Sequence, residues 1–264
     1  MNRIILPVVA LAIVCLAACD PDPDIEFRGG DCLPTNLQSD IIGFYDFNNG
    51  SLQDDSGFDA HLTNTTAAQS TLDRDGNPTC AFLFDNTGAQ EQFLSTTVSS
   101  QLDNLNSFSI SVWYMPRPSD SGVLQGMVSR NDSIATSCPD RRGEWSLSLY
   151  DCKKAVFGHN NSAWANLDLN QQFDCVDQMA MLDDIWHHAV AVKDGDDYKI
   201  YYNGILSETS SGDAQCNNLR KAQDIGDLFI GKNFTGALDD IIIYDKALDD
   251  GEVLELFGVG ACCQ

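Results

Sequence analysis

The sequence lacks the short motifs on which most predictions of enzymes and metal clusters depend. No CxxC cysteine pair, no GxSxG nucleophile motif and no glycine-rich phosphate loop of the GxxxxGK[ST] type occurs in its 264 residues. These absences argue against CxxC-type zinc sites, hydrolases with a nucleophile elbow and P-loop nucleotide binding. The four histidines do not form a ligand cluster either. His187 and His188 would point to opposite faces of a strand, and the other two stand alone in predicted loops.

Basic residues are scarce. The chain has 15 Lys and Arg against 39 Asp and Glu, which gives a formal net charge of −24. Such a chain has little with which to neutralise phosphates, so we expect no nucleic-acid partner and no unaided docking on anionic lipid. Acidic surfaces are compatible with calcium and with neutral or cationic partners. A solvated surface is the simplest explanation of the charge.

One long apolar run stands at the N-terminus, from Ile4 to Ala18. It is shorter than the roughly 20 residues that span a bilayer, so it predicts a signal peptide over residues 1–18. The run ends in Leu-Ala-Ala-Cys, which resembles the lipobox of bacterial lipoproteins and implies that Cys19 is lipidated; a plain secretory signal is the alternative. Residues 19–39 then form an acidic, proline-rich tether. We expect an exported protein, lipid-anchored in the bacterial cell envelope at the outer membrane or cell surface.

The cysteine content agrees with export. With Cys15 and Cys19 set aside, an even number of cysteines remains, which predicts disulfides in an exported chain. Cys262 and Cys263 are adjacent and poorly placed to bridge each other, so each is expected to bond an earlier cysteine. Cys32 and Cys80 are the candidates for these two bonds. The other two predicted bonds are Cys138–Cys152 and Cys175–Cys216.

The segment from Ile185 to Leu206 carries the clearest structural signal. Alternating strands flank a turn at Asp194–Asp197, and Asn203-Gly204 supplies a second tight turn. We expect each hairpin to have one apolar and one more polar face. Further short strands follow at regular spacing, and Asp249 with Glu252 predicts a capping box on a short C-terminal helix. The predicted fold class is all-β, an antiparallel two-sheet sandwich with a short C-terminal helix.

Six segments in this order resemble the laminin G-like domains of the concanavalin A-like superfamily, in the bacterial form likened to pentraxins. The resemblance covers roughly residues 40–258 and implies a jelly-roll domain over residues 40–264, with its first and last strands adjacent. The segments are GFYDFNNGSLQDDSG (Gly43–Gly57), AFLFDNTG (Ala81–Gly88), SFSISVWYMP (Ser107–Pro116), WHHAVAV (Trp186–Val192), YYNGIL (Tyr201–Leu206) and FTGALDDIIIYDKAL (Phe234–Leu248).

In many members the resemblance also implies one structural calcium ion at the rim of the sandwich. Its ligands would be Asp54 from the DxSG pattern, Asp239 at the start of the last strand, and carbonyls around Asn48 and Gly57. Calcium accepts carboxylates and main-chain carbonyls together. The alternative is that Asp54 caps a turn and that Asp239 is hydrogen-bonded to the backbone.

The resemblance also bears on catalysis. Retaining glucanases of this superfamily carry their carboxylates in an ExDxxE pattern on one strand, and a glycosidase needs two carboxylates across a cleft. The pattern does not occur in this sequence, where Glu144 stands alone. We therefore expect no enzymatic activity.

Binding is the expected function, through rings on which sugar faces stack and an amide for their hydroxyls. The candidates are Trp145, Tyr150, Trp164 and Asn161, with core packing as the alternative for Trp145. The favoured partner is a carbohydrate. An extracellular protein, bound by an adhesion or structural domain, is the alternative, and a glycoside hydrolase on the same fold is a third. The sequence does not define the oligomeric state.

Overall fold

The computed structural model describes residues 27–103, 105–117, 124–131, 144–150, 154–159, 163–165, 183–211 and 226–263. The predicted signal peptide, Cys19 and the first part of the tether lie outside these residues. So do Asn161 and the predicted disulfide partners Cys138, Cys152, Cys175 and Cys216. Within the described part, no helix has the length and apolar character needed to cross a membrane.

The described residues form two antiparallel sheets, which confirms the predicted all-β sandwich. The elements are β1 (Ile41–Tyr45), β2 (Gln69–Thr71), β3 (Ala81–Phe84), β4 (Leu94–Thr96), β5 (Ser107–Pro116), β6 (Gln125–Asn131), β7 (Trp145–Tyr150), β8 (Lys154–His159), β9 (Ala163–Ala165), β10 (His187–Asp194), β11 (Asp197–Tyr202), β12 (Ile205–Ser211), β13 (Asp227–Ile230), β14 (Gly236–Tyr244), α1 (Asp250–Phe257) and three short 3-10 helices, Thr35–Leu37, Asn48–Gly50 and Ser100–Leu102. One sheet has the strand order β12-β11-β10-β5-β14-β3-β2, with β1 also paired to β14, and the other has the order β4-β13-β6-β7-β8-β9. The first and last strands are therefore neighbours.

The core between the sheets follows from the alternation of side chains along each strand. In β5, Ile110 and Val112 are fully buried on the inner face, and they join one cluster with Leu147 and Phe157 from the second sheet. Residues two apart on a strand share a face, so a strand that alternates apolar and small polar residues delivers its apolar set to one layer.

A second buried cluster covers the outer face of the first sheet. Val190 and Val192 of β10 pack there with Leu37 from the N-terminal segment and Val253 and Leu256 from α1. The expectation that this hairpin has one more polar face is therefore wrong for β10. The valines on its outer face are buried because α1 and the N-terminal segment cover them, and burial favours apolar residues there.

The predicted turns and the C-terminal helix are confirmed. Asn203 and Gly204 both have positive φ, 48° and 77°, as the tight turn between β11 and β12 requires. Asp249 caps α1: its Oδ1 accepts the N–H of Glu252 at 2.8 Å, and its own N–H donates to the Glu252 carboxylate at 3.0 Å.

Two disulfides fix the C-terminal end of the domain, one to its start and one to the residue before β3. Cys32 is bonded to Cys262 and Cys80 to Cys263, with Cα–Cα distances of 5.1 and 5.6 Å. The prediction that the two adjacent cysteines bond Cys32 and Cys80 is confirmed. The C-terminal segment, residues 259–263, is thereby fixed against the start of the domain.

Candidate functional site

The loop that follows β1 forms one rim of the sandwich. The chain leaves the strand through residues with left-handed backbone, Phe47 at φ 55°, Asn49 at φ 55° and Gly50 at φ 73°. These conformations turn the backbone sharply. As a result, a short stretch of chain presents several polar side chains on one side, while Phe47 itself is buried in the core.

Asp54 fixes the conformation of this loop through hydrogen bonds to its backbone. Its carboxylate is fully buried and accepts three backbone N–H groups, from Phe44 and Ser56 on Oδ1 and from Ala60 on Oδ2, each at 3.0 Å. The N–H of Asp54 donates to Nδ1 of His61 at 3.0 Å. A buried carboxylate needs such donors, because its charge is costly to remove from water. Asp54 is therefore a residue that positions the loop.

A cavity of about 540 Å³ lies between this loop and the N-terminal segment 28–32, with Cys262 in its wall. We call it the rim cavity. Side chains that bear amide, hydroxyl or carboxylate groups line its loop side: Asp46, Asn48, Asn49, Ser51, Gln53 and Asp55. Amides both donate and accept hydrogen bonds and carboxylates accept them, which is the set that recognises hydroxyl-rich ligands.

The rim cavity carries negative charge. Burial raises the pKa of Asp46, whose Oδ1 accepts the N–H of Asn48 at 3.0 Å. Burial also raises the pKa of Asp55, and the nearby carboxylates of Asp46 and Asp54 raise it further. The charge of Arg28, which also lines the cavity, lowers the pKa of Asp55, but its guanidinium donates to Asp59 at 2.8 Å and it is one cation against the carboxylates of Asp46 and Asp55. An anionic ligand would therefore be repelled here, while a neutral or cationic ligand would not.

The four residues predicted to hold calcium do not fit one ion. Both carboxylate oxygens of Asp54 accept backbone N–H groups. Those of Asp239 are occupied by the N–H of Asp240 at 2.8 Å and by Nη1 of Arg74 at 3.0 Å. The carbonyl of Asn48 accepts the N–H of Ser51 at 3.0 Å. This is the alternative that the sequence left open for Asp54 and Asp239, and Gly57 alone, at φ 96°, cannot build a site.

One other group of potential metal ligands exists in the described part of the chain, formed by Asp73, Cys80 and Cys263. The two sulfurs are bonded to each other. A disulfide offers no thiolate to a metal, so this group is not a metal site either.

Neither Trp145 nor Tyr150, the predicted sugar-binding residues whose side chains the structure describes, lines the rim cavity. Trp145 is 3% exposed and its ring lies 5.8 Å from that of Phe108 in the core, so its proposed role as an exposed stacking surface is wrong. Tyr150 is half-buried at the end of β7. Trp164 belongs to β9, but its side chain, like Asn161, lies outside the part of the chain that the structure describes.

The sequence does not predict the residues that line the rim cavity as a ligand site. In the segment between Asp46 and Asp55 it predicts calcium ligands and no ligand-binding amide. The available signal was the density of polar side chains just after a strongly apolar strand. Loops on a rigid scaffold carry a disproportionate share of binding residues.

Both histidines of β10 are hydrogen-bonded within the first sheet. The ring of His187 is hydrogen-bonded to the hydroxyl of Tyr202, while Nε2 of His188 lies 2.8 Å from Oγ of Ser111. The two rings occupy opposite faces of β10. Burial, with a smaller effect from the charge of Arg74, lowers the pKa of His188 to about 3. It is therefore neutral at physiological pH.

Comparison with solved structures gives many matches to this fold. The binding domain of Paraclostridial Mosquitocidal Protein 1 matches with a TM-score of 0.57 and 20% identity, over 84% of this chain and 52% of that one. The binding domain of Botulinum neurotoxin DC, solved in complex with rat synaptotagmin II, gives 0.60 and 18% over the same shares. A structure of botulinum neurotoxin type C, whose cell entry is described as dependent upon interaction with two ganglioside molecules, gives 0.61 and 17%, again over 84% and 52%.

The chain spans about half the length of these structures, and at such identities the likeness concerns the fold. Among curated proteins, no sequence matches this chain. A laminin G-like sequence model described as "Concanavalin A-like lectin/glucanases superfamily" matches residues 87–254, well over half of the chain. With the two-sheet sandwich and the six ordered segments, this match shows that the chain belongs to the laminin G-like domains of the concanavalin A-like lectin/glucanase superfamily.

Proposed function

We propose that this protein is a non-catalytic carbohydrate-binding protein of the bacterial cell envelope, and that it binds glycans in the rim cavity. The observation that carries this proposal is the lining of that cavity, where Asn48, Asn49 and Gln53 stand beside Ser51 and the carboxylate of Asp55. A volume of about 540 Å³ is within the range of small-ligand sites. Side-chain amides and carboxylates together satisfy the donors and acceptors of sugar hydroxyls.

The charge of the rim cavity narrows the ligand class to neutral or amine-bearing sugars. Three carboxylates, from Asp31, Asp46 and Asp55, line it with one cation, Arg28, whose guanidinium is hydrogen-bonded to Asp59. A sialylated or sulfated glycan would bring its anion against these groups, which costs affinity. An ammonium group would be attracted to them.

The fold relatives support recognition on this scaffold. The binding domain of Botulinum Neurotoxin DC has been solved in complex with SialylT, and cell entry of botulinum neurotoxin type C depends on interaction with two ganglioside molecules. The match covers 52% of those chains, so we carry over from them only that proteins containing this fold interact with glycans, and not the place of a site. The acidic cavity argues that the ligand class differs from theirs.

A binding role without catalysis is supported by how the cavity carboxylates are held. Asp46 accepts the N–H of Asn48, which is two residues further along the same turn, so it acts as a local cap. A glycosidase needs one carboxylic acid and one carboxylate on opposite sides of the scissile bond. Asp46 and Asp55 belong to one loop of ten residues on one side of the cavity, while Asp31 lies on the facing N-terminal segment, so product release from a bound glycan has to be measured beside binding.

The location is proposed from the sequence. The signal peptide over residues 1–18, Cys19 and the acidic tether form an anchor that would hold the domain away from the membrane. Expression in a bacterial host, followed by detergent-phase partitioning and mass spectrometry of the N-terminus, tests this. A mature chain that begins at an unmodified residue would exclude the lipid anchor.

A glycan array tests the proposed ligand class directly. The mature chain would be applied to neutral, amine-bearing and acidic glycans, and hits would be measured by calorimetry with Gln53→Ala and Asn49→Ala. We expect each variant to lose roughly tenfold in affinity, as for one or two lost hydrogen bonds. Gln69→Ala is the matched control, because Gln69 is an exposed amide on β2 outside the cavity lining. Release of products from a bound glycan would reject the non-catalytic role.

Protein recognition is the alternative, and one observation favours it. In the described part of the chain, β12 is an edge strand and its residues are almost all exposed. Ile205 is 70% exposed and Leu254 of the neighbouring helix 56% exposed. Exposed edges and apolar side chains are common at protein interfaces. Loss of a protein partner in Ile205→Ser, with glycan binding unchanged or absent, would favour this function.

A further inference from the structure

Asp239, one of the residues to which the family resemblance assigns calcium, is paired with an arginine in this chain. We propose that the guanidinium of Arg74 is the resident cation of the domain's rim, and that the domain therefore folds and holds its rim without calcium. The inference starts from Asp239 and Asp240, two adjacent carboxylates at the bulge of β14, which are 0% and 3% exposed. Two buried carboxylates side by side require a cation or a proton.

Arg74 supplies that cation from the loop between β2 and β3. Its Nη1 lies 3.0 Å from Oδ2 of Asp239 and 2.5 Å from Oδ2 of Asp240. The Arg74 side chain is itself only 7% exposed. An ion pair at this depth is screened little by water and salt, unlike an ion pair on the surface.

The other side of the guanidinium meets main-chain oxygens. Nη2 of Arg74 lies 2.5 Å from the carbonyl of Gly260 and 3.3 Å from that of Val259. Two carboxylates and two carbonyls thus surround one positive group, and these are the oxygen types that calcium recruits. The guanidinium also lies over the ring of Trp113, 4.4 Å from its centroid. An aromatic face is a partner for arginine and offers no oxygen to calcium.

The turn before β3 fixes Arg74 in this position. Oδ1 of Asp73 accepts the N–H groups of Asp75 and Asn77, at 2.9 and 2.8 Å, and Gly76 takes a positive φ of 87°. The arginine is therefore presented by a hydrogen-bonded loop, so part of the entropy of ordering it is already lost when the turn forms.

The same ion pair organises the C-terminal segment. Oδ2 of Asp240 accepts the N–H of Cys262 at 3.0 Å, and Oδ2 of Asp75 accepts that of Ala261 at 3.0 Å. Cys262 in turn lines the rim cavity. Arg74 thereby links β14, the C-terminal segment and a wall of the cavity. A calcium ion bound at the rim would link segments in the same way.

One oxygen near Arg74 remains available to a metal ion. Oδ1 of Asp240 is buried and has no hydrogen-bond partner among the described residues, so it is the atom through which a metal could still bind. The test is thermal unfolding of the mature protein in EDTA, in millimolar calcium and in millimolar magnesium. Magnesium controls for non-specific binding to a chain of net charge −24.

We expect the same Tm in all three conditions. Arg74→Met should lower Tm by roughly 10 °C, because it leaves two buried carboxylates without their cation, and Arg74→Lys should lower it less. Arg28→Met is the matched control. Arg28 forms an ion pair with Asp59, but both side chains are more than half exposed, so we expect little change.

Two results would overturn the inference. One is a wild-type Tm that falls in EDTA and is restored by calcium and not by magnesium. The other is an Arg74→Met protein as stable as the Arg28→Met control. If Arg74→Met does not fold, the wild-type comparison and Arg74→Lys still decide. Because unfolding is the readout, the outcome does not depend on whether the rim cavity binds a glycan.

Discussion

Cys32 and Cys262 are 230 residues apart in the sequence, and the disulfide between them forms part of the wall of the rim cavity. The next residue, Cys263, is bonded to Cys80, which does not line the cavity. Adjacent cysteines at the C-terminus therefore serve two places: Cys262 lines the cavity, whereas Cys263 does not line it but has its Sγ 3.4 Å from Oδ1 of Asn48. This arrangement gives a matched pair of variants.

Removal of the first disulfide should impair both stability and binding. In Cys32→Ser/Cys262→Ser we expect a loss of about 2–4 kcal/mol in the free energy of unfolding, from the greater freedom of the unfolded chain. Glycan affinity should fall as well, because the cavity wall is no longer fixed. Cys80→Ser/Cys263→Ser should lose similar stability and retain more of the affinity. Denaturant unfolding and calorimetry measure the two quantities, and equal loss of affinity in both variants would contradict the role given to Cys32 and Cys262.

Much of the fold could be predicted from the sequence because its signals are local. The turn at Asn203-Gly204 needs positive φ at two residues, and the capping box of Asp249 and Glu252 needs only three residues of spacing. Adjacent cysteines exclude each other, so bonds from Cys262 and Cys263 to earlier cysteines are expected, but this exclusion does not select Cys32 and Cys80 among them. The burial of both faces of β10 was not, because it depends on α1 lying across Val190 and Val192. No local pattern encodes that contact.

The rim cavity should bind amine-bearing glycans less tightly in acid. Burial raises the pKa of Asp46, and burial together with neighbouring carboxylates raises that of Asp55, so both take up protons at a higher pH than ordinary carboxyls do. Protonation removes the charge that attracts an ammonium group. Calorimetry of an amine-bearing hit across decreasing pH should show the loss. Asp55→Asn should show weaker binding at neutral pH and a flatter dependence, and an unchanged slope would exclude Asp55 from the effect.

The candidate site was harder to predict than the fold. Asp54 has the sequence context expected of a calcium ligand, but its oxygens are used by three backbone N–H groups that a sequence does not place. Arg74 lies 165 positions from Asp239, and only the pairing of β14 with β3 and β5 brings the two together. Trp145 was ambiguous because a tryptophan on a strand serves a core and a sugar site equally well.

His188 should make the domain less stable as the pH falls below neutrality. Its pKa is about 3 in the folded protein, against an ordinary value of 6.5, so only the unfolded chain takes up the proton between these values. The stabilisation is complete above pH 6.5 and is lost as the pH falls from there, by about 2 kcal/mol at pH 5.

Asp240 has the opposite effect on stability as the pH falls, because its pKa in the folded protein is raised to about 6. The effect of His188 is therefore measured as the difference between the wild type and a His188 variant. His188→Gln keeps a polar group near Ser111 but does not titrate. We expect its free energy of unfolding to fall less than that of the wild type between pH 7 and pH 5, and parallel curves would contradict the prediction.

Trp145 provides the sharpest separation of core from binding site. Its indole is 3% exposed, in the cluster with Phe108 and Leu147, and its Nε1 has no hydrogen-bond partner among the described residues. Trp145→Ala should therefore cost about 3–5 kcal/mol of stability, as is typical of a large aromatic removed from a core. Trp145→Phe should cost much less, because it keeps most of the apolar volume and removes the unpaired N–H. Denaturant unfolding measures both, and glycan affinity measured well below the Tm should be the same for Trp145→Phe and the wild type. If Trp145→Phe keeps its stability but no longer binds the glycan, the prediction is wrong. That result would indicate that the Trp145 ring contacts the glycan and that the binding site is not the rim cavity.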